Sequence, residues 1–393
     1  MKLLFFITSR KGSNTGFGGH YYSLLTYTDV LKDYFDITIL HYSELENTIL
    51  DSIDFEDIKY FKTKTINPKR LKDFFNFNVV IFFRATLFSN KLKNAFIFKK
   101  IPVIAVKPGG KNPKIYYSYF DYIICFSDEN YRWFKTKYTY KNKSCITLLP
   151  NRIKSIGRNE SRLKEFNFTK ENHINILRIS KISESYQDTF LKTINLHKIL
   201  YDKNILVNLV IIGRIENQNT YEKILIAANQ HKNITILTDN KYTNNARELI
   251  PMFDIVTGIG RGFMEAVSEK IITLGFSRSY SIPIIVDKDN YDIFKQYNFS
   301  LRNDFQGRSS EQEFCKILNL ISSIEEQKKL KNFLFDKYIQ DYDAQKVIAF
   351  FMNTNFKKRI NIKYFILDFT CNIIVSLYMN AKAFYRKLKH FEI

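Results

Sequence analysis

Residues 254–266, DIVTGIGRGFMEA, set Gly258, Gly260 and Gly262 between a short apolar run and the start of a helical one. Glycines at such a junction leave backbone N–H groups unshielded at the positive end of a helix, and that arrangement binds phosphate. Arg261 adds a planar guanidinium suited to phosphate oxygens. Glu265, one turn into the helix, offers a carboxylate to sugar hydroxyls. The spacing is G-x-G-x-G rather than G-x-G-x-x-G, and the loop does not follow the first strand, which argues against a dinucleotide-dependent dehydrogenase. Without a ligand, the same residues read as a tight strand-to-helix turn with Glu265 solvated.

A second glycine loop, SRKGSNTGFGGHYYSL, follows the first apolar run and carries Gly16, Gly18, Gly19 and His20. Two such loops, each opening the ligand side of its own domain, imply a site between domains, where His20 would serve as a base or simply start a helix. Arg84 ends VVIFFRA, and Lys107, Gly109 and Gly110 end VIAVKPGG, at strand ends where open α/β sheets gather ligand contacts. Each of these cations alone could instead snorkel or pair on the surface. Further along, Arg178 and Lys181 follow one run, and Gly213 and Arg214 follow another. With Arg261 they make up to four cations able to stabilise a departing diphosphate. Asp287/Asp289 and Asp341/Asp343 form D-x-D pairs, which either hold a divalent ion or turn into solvent. There is no H-E-x-x-H, G-x-S-x-G or lysine P-loop.

Positioning these residues requires strands that alternate with helices, and hence parallel sheets. Apolar runs at 3–8, 37–40, 79–83, 103–106, 122–126 and 145–149 predict one series. Runs at 174–179, 206–212, 234–237, 255–256 and 284–286 predict a second. Helical spacing of Leu24, Leu31 and Phe35 starts a helix after Gly19, and Ser127 should cap another, with Asp128 and Glu129 in its first turn. LLPNRI breaks the pattern, so the domain boundary is expected there: residues 1–152 and 153–335, with a helix at 336–355 crossing back to the first domain.

The length of 393 residues suits two domains. Four scattered cysteines match neither a disulfide framework nor a metal motif, which points to a reducing compartment. The formal charge of +21 favours anionic partners, although a Lys- and Asn-rich composition contributes to it. Residues 356–393 form a basic tail whose segment 365–379 is apolar except for Asp368, Asn372 and Ser376 at i+4 spacing. It is too short to span a bilayer, since a spanning helix needs about 20 residues. It reads either as an interfacial amphipathic helix for an anionic membrane surface or as a helix packed on the protein body.

The order of these motifs resembles the GT-B glycosyltransferases, especially the retaining family 4 group, over roughly residues 1–351. GFGGHYYSL is similar to that family's N-terminal Gly-Gly loop. CFSDENYRWF followed by ITLLPNRI resembles its last N-domain strand, helix and Pro-Asn linker. NILRISKIS and NLVIIGRIE resemble the first two C-domain strands. Glu265-Ala266 matches the second glutamate of the family's E-x7-E motif, which holds the nucleotide ribose, while Thr257 stands where the first would be. Lys181 aligns with the Arg of G-R-L, Tyr186 replaces the expected Lys, and VSEKIITLGFSRSYSIPIIV stretches the usual G-x-P-V segment.

The resemblance implies two Rossmann-like α/β/α domains facing across a cleft and a nucleotide-diphosphate sugar as donor, with no required cofactor or metal. The acceptor would be a glycan or a lipid-linked glycan, at the cytoplasmic face of the membrane in cell-surface polysaccharide synthesis. Gly258, Gly260, Gly262, Gly213, Arg214 and Glu265 are then expected to bind the donor. Lys181, Arg261 and His20 are expected to carry catalysis, and Gly18, Gly19, Arg84, Lys107, Gly109 and Gly110 to line the acceptor side. Three other readings stay open: a metal-dependent D-x-D transferase, a catalytically silent GT-B scaffold, and a basic nucleic-acid-binding protein. Against the last, the basic residues are dispersed and no nucleic-acid motif accompanies them.

Overall fold

LLFFI and VVIFF are apolar at every position, the pattern of strands covered on both faces. In the computed structural model they lie side by side at the centre of a parallel sheet. The structure describes residues 1–9, 17–65, 76–83, 93, 100–113, 116–157, 159–160, 164, 166, 169–364, 366–371, 373–374 and 377–378. Two compact units divide the chain: Met1–Pro150 with Lys346–Ile393, and Asn151–Gln345.

The first unit is built on β1 (Lys2–Ser9), β2 (Asp36–Ser43), β3 (Ile58–Thr63), β4 (Val79–Phe83), β5 (Val103–Lys107), β6 (Tyr122–Cys125) and β7 (Cys145–Leu148). They lie in the order β3-β2-β1-β4-β5-β6-β7, all parallel. The order reverses between β1 and β4, and such a switch point opens a crevice outside the strand carboxyl ends. Helix α1 (Gly19–Leu31) follows β1, and α2 (Asp128–Thr136) follows β6. The Ser127 hydroxyl accepts a hydrogen bond from the Asn130 amide at 3.3 Å, capping α2. Strand β3 escaped the sequence reading because IKYFKT mixes lysines with apolar residues. It is an edge strand, exposed along one face.

The second unit holds β8 (Ile174–Ile179), β9 (Val207–Ile212), β10 (Ile234–Leu237), β11 (Ile255–Thr257), β12 (Ile272–Gly275) and β13 (Ile284–Ile285). Their order is β10-β9-β8-β11-β12-β13, parallel except for β12 with β13. The stretched segment after Glu265 is thereby explained: it contains β12, which the sequence reading missed, and a reversal into the antiparallel β13. Helices α3 (Gln187–Asp202), α4 (Gln218–Asn229), α5 (Arg261–Ser268), α6 (Ser310–Ser322) and α7 (Ile324–Asp341) complete the unit. Its aliphatic and aromatic residues form a core of their own, including Ile176, Leu209, Phe263 and Leu274. The chain then returns to the first unit through α8 (Lys346–Asn353), where Phe351 meets Phe35 with ring centroids 6.3 Å apart. None of the four cysteines is in a disulfide.

Candidate functional site

In the second unit the order of strands reverses between β8 and β11, so the loops after Ile179 and Thr257 flank the switch point. Those are the loops that carry Lys181 and the glycine cluster. The structure assigns each glycine a distinct job. A Cβ on Gly258 would sit 2.6 Å from the Cα of Phe263, so this glycine lets helix α5 fold back onto its own strand. Gly260 caps α5 with φ of +52°, a left-handed conformation that favours glycine. Beside Gly262 the nearest heavy atom to an added Cβ is the carbonyl oxygen of Ile179, at 4.0 Å. Gly213, after β9, passes so close to β8 that a Cβ would lie 2.0 Å from the Ser180 carbonyl oxygen.

The glycine amides themselves are already engaged. Gly258 donates to Leu274 O at 2.9 Å, Gly260 to Phe299 O at 3.0 Å and Gly262 to Ile259 O at 3.1 Å. The sequence reading took these N–H groups as the phosphate cradle; in the structure they hold the loop in shape. The positive end of α5, which starts at Arg261, remains the anion-attracting feature.

Glu265 is buried on α5. Its Oε1 accepts a hydrogen bond from Arg261 Nε at 2.7 Å, and Arg247 Nη1 lies 3.8 Å away. Arg261 also donates from Nη1 to the Arg152 carbonyl at 2.7 Å, and its side chain is only 8% exposed. The guanidinium that sequence reasoning aimed at phosphate is therefore turned inward, where it fixes the Glu265 carboxylate. Arg247 stands at the start of the 3-10 helix Ala246–Met252, with its side chain 29% exposed beside that carboxylate. Sequence reasoning passed over it because no strand end or glycine marks its position.

Lys181 is exposed and pairs with Glu216 at 2.7 Å, its ammonium 5.8 Å from the centre of the Tyr186 ring. Arg214 donates to Asn244 Oδ1. Arg178 requires a correction. It is fully buried within β8, donating to the Thr257 carbonyl at 2.9 Å and to Thr189 Oγ1 at 2.8 Å. The Phe190 and Phe276 rings lie 5.3 and 5.0 Å from its guanidinium carbon, so cation–π contacts help offset the loss of water. It ties β8 to β11 and does not reach a ligand. Thr257 is also buried, its hydroxyl 3.1 Å from that of Thr193 on α3. The position that would carry the first motif glutamate thus faces the interior.

Both D-x-D pairs contain ion-paired carboxylates, although Asp289 sits exposed in a turn. Arg308 Nη2 binds both Asp287 oxygens at 2.8 and 2.6 Å and Asp289 at 2.9 Å, and Lys316 adds a contact to Asp287 at 3.0 Å. Burial would raise the Asp287 pKa, but hydrogen bonds from Arg308 and Lys316 outweigh it and hold the carboxyl below its ordinary value. Asp341 accepts from Tyr291 and pairs with Lys295 at 2.7 Å. Among the described residues no group of three or more His, Cys, Asp and Glu could hold a metal.

In the first unit, Gly18 caps α1, and the His20 and Tyr21 rings lie with centroids 4.3 Å apart and planes tilted by 39°. The Lys107 ammonium curls back onto the carbonyl of Gly109 at 2.5 Å, within a turn in which Gly109 and Gly110 take φ of +89° and +79°. Arg84 and Gly16 lie outside the described residues. The first sheet also holds a hydrogen-bonded chain, running from buried Ser9 and His41 out to exposed Asp51, that sequence reasoning missed because its members are far apart in sequence. Ser9 Oγ is 2.7 Å from His41 Nε2, His41 Nδ1 is 2.8 Å from the Tyr60 hydroxyl, and Tyr60 donates to Asp51 at 3.1 Å. With Tyr60 donating to Asp51, neutral His41 donates from Nδ1 to the Tyr60 oxygen and accepts the Ser9 hydroxyl at Nε2. Burial pushes the His41 pKa down to about 4 and keeps it neutral.

Neither a protein-family model nor a curated protein sequence matches the chain. Solved structures do. A glycosyltransferase from Rickettsia africae is 14% identical, with a TM-score of 0.61 over 89% of this chain and 97% of its own. Anabaena HepE, solved in complex with UDP-glucose, is 11% identical, with a TM-score of 0.60 over 88% of this chain and 99% of its own. The UDP-GlcNAc 2-epimerase of Neisseria meningitidis, bound to UDP-GlcNAc, is 12% identical, with a TM-score of 0.54 over 89% and 98%. The two mostly parallel sheets with their helices are a GT-B fold, shared with these structures.

Proposed function

We propose that the chain is a glycosyltransferase that moves a sugar from a nucleotide-diphosphate donor to a glycan or lipid-linked acceptor, in cell-surface polysaccharide synthesis at the inner face of the cytoplasmic membrane. One observation supports this most. Lys181, the amino end of α5 and the Arg-held Glu265 gather at the β8/β11 switch point of a GT-B fold whose solved relatives include complexes with UDP-sugars.

In the transfer, the bond from the sugar C1 to the diphosphate oxygen breaks, the acceptor oxygen bonds to C1, and the diphosphate leaves with the bonding electrons. Lys181, Arg247 and the positive end of α5 offset its growing charge, the electrostatic term that dominates such reactions. Glu265 accepts hydrogen bonds from the ribose hydroxyls, with Arg261 fixing its orientation. These cations do the work a divalent ion would do, so the mechanism calls for no cofactor. In the first unit, Gly18, Gly19 and the Lys107 turn bind the acceptor. Retention at C1, the outcome the family 4 resemblance implies, lets the acceptor proton pass to the departing diphosphate. If the product is inverted instead, His20 is the group that takes it.

Thermal stabilisation by a panel of nucleotide sugars identifies the donor, because a ligand that binds only the folded state raises stability. Glu265→Gln should lose that stabilisation and the transfer with it; transfer at the wild-type rate would overturn the ribose assignment. A second reading, suggested by the epimerases among the solved relatives, is epimerisation of the nucleotide sugar itself. A C2 epimer formed with no acceptor present would establish it in place of transfer.

A further inference from the structure

An amphipathic helix packed on a soluble protein turns its apolar side inward. The tail helix does the opposite. Residues 362–364, 366–371, 373–374 and 377–378 are helical, and its one described acid, Asp368, is buried at 1% exposure. Asp368 pairs with Lys93, itself 1% exposed, and accepts a hydrogen bond from the Tyr119 amide at 3.1 Å. Lys93 also donates to the Tyr119 carbonyl at 3.1 Å. Tyr364, one turn earlier, stacks near Tyr119 with centroids 5.3 Å apart. Asp368 is thus clamped to the first unit, and Ile362, Ile366, Phe369, Ile373, Ile374 and Leu377 point outward at 46–64% exposure. Asn372 and Ser376 lie outside the described residues.

We infer that this outward face docks on an anionic phospholipid surface, with the Lys93–Asp368 pair holding the helix apolar side out. Charge selects the occupant. Lys357 and Arg359, just before the helix, and Lys363, in its first turn, are exposed, and no acid other than the buried Asp368 occurs between residues 356 and 378. An apolar face with cations at its leading end matches the boundary between acyl chains and acidic headgroups. No helix among the described residues is long and apolar enough to cross a membrane, so the helix would lie in the interface plane. The inference extends the membrane location proposed above and does not depend on the donor chemistry.

Co-sedimentation of the full chain with vesicles, in the absence of any nucleotide sugar, tests it. Binding is expected to phosphatidylcholine vesicles containing phosphatidylglycerol and not to phosphatidylcholine alone, and to weaken as salt is raised. The double variant Ile366→Glu/Ile373→Glu should cut the bound fraction roughly tenfold or more. Because both positions are exposed, its melting temperature should match the wild type, which separates lost docking from lost folding. Lys357→Gln/Arg359→Gln/Lys363→Gln should remove the preference for acidic lipid. Equal sedimentation of wild type and the double-Glu variant would overturn the inference, as would no binding to either vesicle. So would a concentration-dependent dimer abolished by the double-Glu substitution without vesicle binding, because a second copy would then cover the face.

Discussion

Glu265 shows how a single carboxylate acquires a job from its neighbours. Arg261 holds its Oε1 at 2.7 Å while Arg247 stands 3.8 Å off and partly exposed, so one guanidinium orients the carboxylate and a second adds positive charge beside it. Arg261→Met should leave Glu265 buried but unfixed. A hydrogen bond to a charged group is worth about 1.5–3 kcal/mol, so nucleotide affinity measured by calorimetry should fall at least about tenfold, with Arg261→Lys recovering part of it. Unchanged affinity would remove Arg261 from the site. His41 carries a second prediction at this scale. Its folded pKa of about 4 lies below the ordinary 6.5, so between those values the unfolded chain binds a proton that the folded one refuses. Stability is complete above the ordinary value and is lost as pH falls toward about 4, by up to roughly 3 kcal/mol from this residue. His197, buried and also lowered to about 4, acts in the same direction. Urea melts across that range should show the slope, and His41→Gln, which keeps hydrogen-bonding atoms but cannot titrate, should flatten part of it.

Among the elements, the loop between β11 and α5 separates glycines that fold the protein from one that can serve a ligand. Gly258→Ala would drive a Cβ to 2.6 Å from the Phe263 backbone, and Gly213→Ala to 2.0 Å from the Ser180 carbonyl. Each should cost at least about 1–3 kcal/mol, as overpacking does, and lower the melting temperature. Gly262→Ala meets nothing nearer than 4.0 Å and sits inside α5, where alanine is favoured over glycine by about 1 kcal/mol. That variant should fold at least as well as the wild type, so any nucleotide affinity it loses reports the close approach of a ligand. Its affinity matching the wild type would place the diphosphate elsewhere on the switch point.

For the whole molecule, each unit has its own sheet and its own hydrophobic clusters, with Phe6, Phe82 and Phe120 in the first and Ile176, Phe263 and Leu274 in the second. A nucleotide diphosphate should therefore slow hydrogen exchange at residues 258–265 and around Lys181 while leaving β1–β7 unchanged. Protection confined to the first unit would reverse the proposed division of labour. The charge of +21 is also apportioned by the fold. Arg178 joins two strands and Arg308 gathers three carboxylates, while Lys357, Arg359 and Lys363 of the tail stay exposed. Because Asp287 and Asp289 are already neutralised by Arg308, sugar transfer should persist in the presence of a chelator. Abolition by chelator would favour the metal-dependent reading.

The sequence by itself determined the alternation of strands and helices, since apolar runs and caps are local patterns: 79–83, 103–106 and 174–179 lie within or coincide with strands, and Ser127 caps its helix. It missed β3, whose lysines obscure an edge strand, and β12, a four-residue strand inside the segment read as a stretched G-x-P-V. It also located the loops that meet at the switch point, because strand ends and glycines are visible in one dimension. Only the tertiary structure decided the fate of each charge. Whether Arg178 is buried, Arg261 turns inward, Arg247 joins Glu265, or Asp368 faces Lys93 depends on partners up to 275 residues away, and no local pattern encodes them. Packing sets those distances, and through them it turned Asp368 of the tail inward and left Ile366, Ile373 and Ile374 exposed.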